Sequence, residues 1–232
     1  IDMEYAKQKG VVVKNAVGYS TASVVQVTFS FALHFIQHLD FYKKYVDDGK
    51  WQNSEIFTNI DKPFNELANK KWGVIGLGNI GKSVASVASA FGCEVSYYST
   101  SGANNNTNYK SITLEELLKS SDIISIHCPL NNTTKNLLNS TNMNLIKEKA
   151  IVLNLGRGGI IDEDAILDII DSKEVYFGID TVIKEPIEAS SPLLKVKNKD
   201  RLLLTPHIGW ASIESRERLI QCLVDNISEF VL

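Results

Sequence analysis

Apolar residues recur at helical spacing through the N-terminal third of the chain and in short unbroken runs from Trp72 onward. Residues 1–10 have the pattern of a short helix closed by Gly10. Residues 11–13 are three valines, a short apolar strand ending at Lys14 and Asn15. Gly18, Tyr19, Ser20 and Thr21 read as a turn with helix-capping candidates. Residues 23–46 then read as one long helix. Val24, Val27, Phe31, His34 and Phe35 lie at helical spacing, and Lys43 and Lys44 stand near the C-terminal end, where the helix dipole favours cations. Residues 47–71 are polar and irregular.

Beyond residue 71, strands and helices alternate. A buried strand ends on Gly73, Val74 and Ile75, and a helix carries Val84, Val87, Ala88 and Phe91 on one face until Gly92 stops it. Further strands are predicted at 94–98, 122–127, 150–154, 175–180 and 202–205. Helices are predicted at 113–118, where Thr113 and Glu116 spell a capping box, at 140–147, at 162–170 and at 213–231. Residues 99–108 form a polar, Asn-rich loop. Apolar strands alternating with helices predict an α/β fold, a doubly wound parallel sheet covered on both faces. Ligands of such sheets lie at the carboxyl ends of the strands.

The first strand–helix junction carries Gly76, Gly78 and Gly81 as G-x-G-x-x-G. Gly76 suits a tight turn, Gly78 lets backbone approach a pyrophosphate, and Gly81 lets helix and strand pack closely. The N–H groups opening the helix face the same way. Strand, glycine turn and helix together predict a dinucleotide site.

Composition narrows the partners. Of 232 residues 44 % are hydrophobic, enough for a core and against disorder. The net charge is −3, and no run of Lys or Arg suggests nucleic acid or an anionic membrane. Cys93, Cys128 and Cys222 are scattered, which fits a reduced cytoplasmic protein without disulfides and gives no metal-site spacing. No segment is long and apolar enough to span a bilayer. The chain starts at Ile1 without an initiator Met, as if cut from something longer.

The remaining chemistry stands where strands end. Arg157 follows the fourth strand among Gly156, Gly158 and Gly159. A guanidinium there can grip a carboxylate through two parallel hydrogen bonds. Asp180 ends the fifth strand, with Glu185 and Pro186 shortly after. His207 follows the sixth and is the side chain suited to proton exchange near neutral pH. A carboxylate beside it, such as Glu185, would fix its tautomer. His34 and His38 lack a third ligand and read as packing or surface residues. His127 ends the third strand and could line the pocket without a proton-transfer role.

The stretches GVIGLGNIG, NLGRGGIIDEDAIL, GIDTVIKEP and LTPHIGWAS, in that order, resemble the D-isomer-specific 2-hydroxyacid dehydrogenases. YSTASVVQ and HIGWAS resemble the glycerate dehydrogenase (hydroxypyruvate reductase) branch. The resemblance implies a Rossmann-type cofactor domain with a remnant of a second, flavodoxin-like substrate domain. Residues 1–17 would be that remnant, 18–208 the dinucleotide-binding domain and 209–232 a closing helix. It implies NAD as cofactor, a small 2-keto or 2-hydroxy acid as substrate, and a homodimer made through the cofactor domain. Arg157 would bind the substrate's carboxylate and carbonyl oxygen, His207 would be the acid/base, and Glu185 its partner. Gly76, Gly78, Asn79, Ile80 and Gly81 would take the pyrophosphate. Ser99, Pro129, Thr134, Leu155, Gly156, Asp180 and Gly209 would contact the rest of the cofactor, Asp180 at the nicotinamide end. No metal is implied. Ser99 replaces the family's usual acid, which opens the site to NADP, and Asn69 replaces a glycine. The reaction expected is reversible hydride transfer between hydroxypyruvate and D-glycerate. Phosphoglycerate, lactate or glyoxylate dehydrogenation, or a nucleotide-sensing module of the same fold, are the alternatives.

Overall fold

The computed structural model describes residues 1–103 and 108–231. Three helices come first: α1 (Met3–Gln8), α2 (Thr21–Gln37) and α3 (Leu39–Asp47). The alternating part follows as β1 (Lys71–Ile75), α4 (Asn79–Ala90), β2 (Glu94–Tyr98), β3 (Lys110–Ser111), α5 (Leu114–Ser120), β4 (Ile123–Ile126), β5 (Ile151–Asn154), α6 (Glu163–Ser172), β6 (Tyr176–Ile179), β7 (Leu202–Leu204) and α7 (Ile213–Val231). The strands form one sheet in the order β3-β2-β1-β4-β5-β6-β7, every pair parallel. The order reverses between β1 and β4, which opens a crevice at the carboxyl ends of those two strands.

The two faces of the sheet bury separate apolar layers, and the strand period of two divides the residues between them. On one side Trp72 and Val74 of β1 and Leu153 of β5 meet Phe31 and Phe35 of α2 and Val84 and Ala88 of α4. On the other side Ile75, Ile124, Ile126 and Val152 meet Leu117 of α5 and Ile166 and Ile170 of α6. Trp72 is wholly buried, and its indole N–H donates to Ser125 Oγ at 2.9 Å, so its one polar atom is satisfied. Thr113 and Glu116 form the expected capping box at the start of α5.

Four expectations from the sequence are corrected. The helix expected over 23–46 is two helices, broken at His38, whose φ of 51° is left-handed. The His38 carbonyl accepts the first bonds of α3, from Phe41 and Tyr42. α2 packs on the sheet, whereas α3 buries no residue, so the break falls where the sheet stops offering a surface. The three valines at 11–13 form no strand, because no neighbouring strand reaches them among the described residues. The helix expected over 140–147 contracts to one 3₁₀ turn, Met143–Leu145. Asn139 and Asn142 side chains bond nearby backbone there and compete with helix formation. Finally the sheet has seven strands rather than six, the addition being the two-residue β3. Of the polar stretch 99–108, residues 104–107 lie outside the described residues. No helix of the described residues is long and apolar enough to cross a membrane.

Candidate active site

Strand register builds the site. Tyr98 pairs with Ile75, Ile75 with Ile126, Ile126 with Asn154, Asn154 with Ile179, and Ile179 with Leu204. The residues one step beyond this row are Ser99, Gly76, His127, Leu155, Asp180 and Thr205. Residues far apart in sequence thus leave the sheet along one edge. A cleft of about 800 Å³ lies there, and Ile80, Pro129, Leu155, Gly156, Arg157, Asp180, His207 and Gly209 all line it.

The glycine turn forms one wall. Gly76 has φ 89°, and a Cβ there would fall 2.7 Å from the Cys128 nitrogen. A Cβ on Gly81 would fall 2.2 Å from the Gly76 carbonyl oxygen, so any side chain would force α4 off β1. A Cβ on Gly78 would meet nothing within 4 Å. Gly78 is also the N-cap of α4, and no side chain caps that helix. Close packing behind and open space in front suit a dinucleotide pyrophosphate set on the N–H groups that open at Asn79 and Ile80.

The loop after β5 presents Arg157. Asn154, buried at the strand end, holds it from both sides: its Oδ1 accepts from Gly156 N–H at 3.1 Å and its Nδ2 donates to the Arg157 carbonyl at 2.9 Å. The Arg157 side chain is exposed, and its Nη1 donates to the Gly156 carbonyl at 2.8 Å. Among the described residues no carboxylate forms an ion pair with it. A cation held at a cleft wall without an anion has capacity for a ligand carboxylate.

His207 and Glu185 meet across the other side. Glu185 Oε2 lies 2.8 Å from His207 Nδ1, and Glu185 Oε1 accepts from Val182 N–H at 3.2 Å. This leaves Nε2 of His207 for a reacting group. His207 itself has φ 54°, an uncommon conformation for a residue with a side chain. Asp180 is 2 % exposed, and its carboxylate accepts from Thr205 Oγ1, Ile208 N–H and Gly209 N–H.

Other residues at this edge behave differently. His127 has its Nε2 shielded and unpartnered, and burial lowers its pKa to about 3, so the ring is neutral. Burial pushes the Cys128 thiol up to about 11, which keeps it protonated. Thr134 does not line the cleft: it is fully buried, donating to the Pro129 carbonyl at 2.6 Å and accepting from Asn131 N–H at 2.8 Å. It shapes the loop behind Pro129. Ser99 follows β2 at the far end of the register row and is half-buried.

Asn154 was not singled out in the sequence, although an Asn ending an apolar strand before a glycine loop is a usable signal. Tyr19 and Trp210 also line the cleft, with ring centroids 6.4 Å apart in an edge-on arrangement. The Tyr19 carbonyl accepts from Ser215 Oγ at 3.2 Å and from Arg218 Nε at 2.8 Å, so α7 is fastened to the segment leading into α2.

One wall offers backbone N–H groups to phosphates, and the facing loops carry a cation and a paired histidine. Such a crevice belongs to an oxidoreductase that works on a bound dinucleotide. Residues 29–209 match the family model described as D-isomer specific 2-hydroxyacid dehydrogenase, NAD binding domain. The chain belongs to that family. It is 38 % identical to a hydroxypyruvate reductase of Blautia hydrogenotrophica, over 100 % of this chain and 72 % of the relative. The structure of a D-lactate dehydrogenase from Aquifex aeolicus, complexed with NAD and lactic acid, superposes with a TM-score of 0.88 at 29 % identity. That match covers 100 % of this chain and 72 % of the other. An acyclic imino acid reductase in complex with NADPH and D-Arg superposes with a TM-score of 0.86 at 28 % identity, over the same shares.

Proposed function

We propose that this chain carries the cofactor domain and the catalytic edge of a hydroxypyruvate reductase, which interconverts hydroxypyruvate and D-glycerate. The reading rests on one observation above others: His207 is paired through Nδ1 with Glu185 at 2.8 Å in a cleft that Arg157 also lines. The identity to a hydroxypyruvate reductase supports this substrate over lactate, glyoxylate or phosphoglycerate.

Gly76, Gly78, Asn79, Ile80 and Gly81 would hold the cofactor's pyrophosphate. Ser99 would face the adenosine ribose, while Pro129, Leu155, Gly156 and Gly209 would border the nicotinamide end. Bound NADH supplies the hydride that reduces the keto carbon. Arg157 orients the substrate carboxylate and polarises the carbonyl oxygen. Protonated His207 gives its Nε2 proton to that oxygen as the alcohol forms, and takes it back in the reverse direction. Glu185 holds the ring through Nδ1, which leaves Nε2 for the substrate.

Two further proposals concern the assembly. Residues 1–17 would be the remnant of a substrate-binding domain and 209–232 a closing helix leading back toward it, which fits the exposed apolar side chains of Ile220, Ile227 and Phe230 on α7. A homodimer forms through the cofactor domain, which would cover Trp51, Ile56, Phe57, Ile60 and Phe64, now exposed.

The test is NADH oxidation by the purified enzyme with hydroxypyruvate, glyoxylate, pyruvate and phosphohydroxypyruvate. The highest kcat/KM is expected with hydroxypyruvate. A higher value for another keto acid would reassign the substrate, and turnover of none would refute the enzyme.

A further inference from the structure

Asp180 is a buried carboxylate at the end of β6, and its oxygens are taken up by the protein. Oδ1 accepts from Thr205 Oγ1 and, at 2.8 Å, from Ile208 N–H; Oδ2 accepts from Gly209 N–H at 2.7 Å. The Asp180 carbonyl accepts from His207 N–H at 2.9 Å, and the Thr205 carbonyl accepts from the same N–H at 3.0 Å. One residue therefore receives the backbone N–H groups of three consecutive positions, the first of them His207. His207 is left-handed at φ 54°, a conformation that persists only where the surroundings hold it. Gly209 fits the same device, since a Cβ there would fall 2.8 Å from Asp180 Oδ2.

We infer that Asp180 is the positioning residue for His207. It fixes the left-handed turn from which the imidazole reaches Glu185 and aims Nε2 into the cleft. This rests on the proposed role of His207 as proton donor. The chemistry calls for a carboxylate rather than an amide, because three donors converge on two oxygens. An Asn would turn an NH₂ group toward at least one N–H or O–H donor. The loop would then shift, and a displacement of 1 Å at the acid/base is enough to slow proton transfer.

Asp180→Asn tests this in the intact enzyme. A positioning role predicts that the NADH Kd stays within about threefold while kcat falls by about tenfold or more. It also predicts a larger solvent deuterium isotope effect on kcat, because proton donation by the displaced His207 becomes limiting. The amides of Ile208 and Gly209 should exchange with solvent about tenfold faster or more. If kcat stays within about threefold, or if NADH affinity falls in step with kcat, Asp180 serves the cofactor instead and the inference is overturned. Thr205→Val and Thr205→Ser decide the matter should the Asn variant not fold. Valine removes one donor and should lower kcat at unchanged NADH affinity, whereas serine should retain it; equal behaviour of the two contradicts the clamp. His207→Ala runs alongside. Turnover surviving in that variant would refute the proposed function, while amide exchange at 208 and 209 still reports whether Asp180 holds the loop.

Discussion

Oε2 of Glu185 lies 2.8 Å from Nδ1 of His207, and the two residues come from loops that follow different strands, β6 and β7. Both side chains remain more than one-third open to solvent or close to it, at 39 % and 35 %, so the pair is screened and adds little to stability. Its effect is on orientation: with Nδ1 engaged, Nε2 is the nitrogen left for a ligand.

Glu185→Gln keeps the shape of this contact and removes its charge. The carboxylate that engages Nδ1 is then gone. Arg157 lines the same cleft, and the Asp180 carboxylate is already occupied by loop donors, so neither replaces Glu185. A glutamine amide can present either its oxygen or its NH₂ to Nδ1, so the tautomer is no longer fixed and kcat should drop about tenfold with NADH affinity retained. A kcat within about threefold of the parent's would show that the two residues are not coupled.

Arg157→Lys should lower kcat/KM for the keto acid by about 100-fold, with NADH binding retained. Lysine keeps the charge but cannot reproduce a planar two-point grip on a carboxylate. Measuring both quantities on the same preparation checks it; turnover close to the parent's would remove Arg157 from substrate binding.

Much of this site was legible because a parallel sheet converts sequence order into place. Once strands end at Ile75, Ile126, Asn154, Ile179 and Leu204, the loops that follow must share an edge, and Arg157, Glu185 and His207 stand on those loops. The left-handed residue at His38 was not legible. Apolar spacing continues through it, and one such residue costs only about 1–2 kcal/mol, less than packing can supply. β3 is not legible in the sequence because two residues, Lys110 and Ser111, carry no periodicity. The sequence makes Asp180 a cofactor contact and does not reveal its three donors at 205, 208 and 209, since they depend on how two loops meet.

His127 should make the protein acid-sensitive. Burial lowers its pKa to about 3, so the folded state resists a proton that the unfolded chain accepts below about 6.5. The stabilisation from a neutral His127 is therefore present above about 6.5 and is lost progressively as pH falls from there toward 3, by about 1.4 kcal/mol per pH unit at most. Urea unfolding between pH 7 and about 4.5 should show this slope, and His127→Asn should flatten it whatever its own stability. An equally steep slope in the variant would place the acid sensitivity elsewhere.

We expect cofactor choice to turn on Ser99. An acid at this position accepts hydrogen bonds from the ribose hydroxyls and repels a 2′-phosphate. Serine removes the repulsion without supplying a cation, so we expect NADH to be preferred and NADPH to be tolerated. Ser99→Asp should sharpen the NADH:NADPH ratio of kcat/KM by about tenfold or more, chiefly through loss of NADPH activity. A ratio that does not move would mean that the ribose is held by other residues.

The central claim is that His207 donates the proton to a 2-keto acid while the cofactor domain holds NADH. Its most direct measurement is a comparison of hydroxypyruvate reduction and NADH binding in the parent enzyme and in His207→Ala. The parent should turn over, and the variant should bind NADH within about threefold of the parent while kcat falls by about 1000-fold or more. A variant that keeps a tenth or more of the parent's kcat would contradict the role given to His207, and with it the chemistry assigned to the cleft.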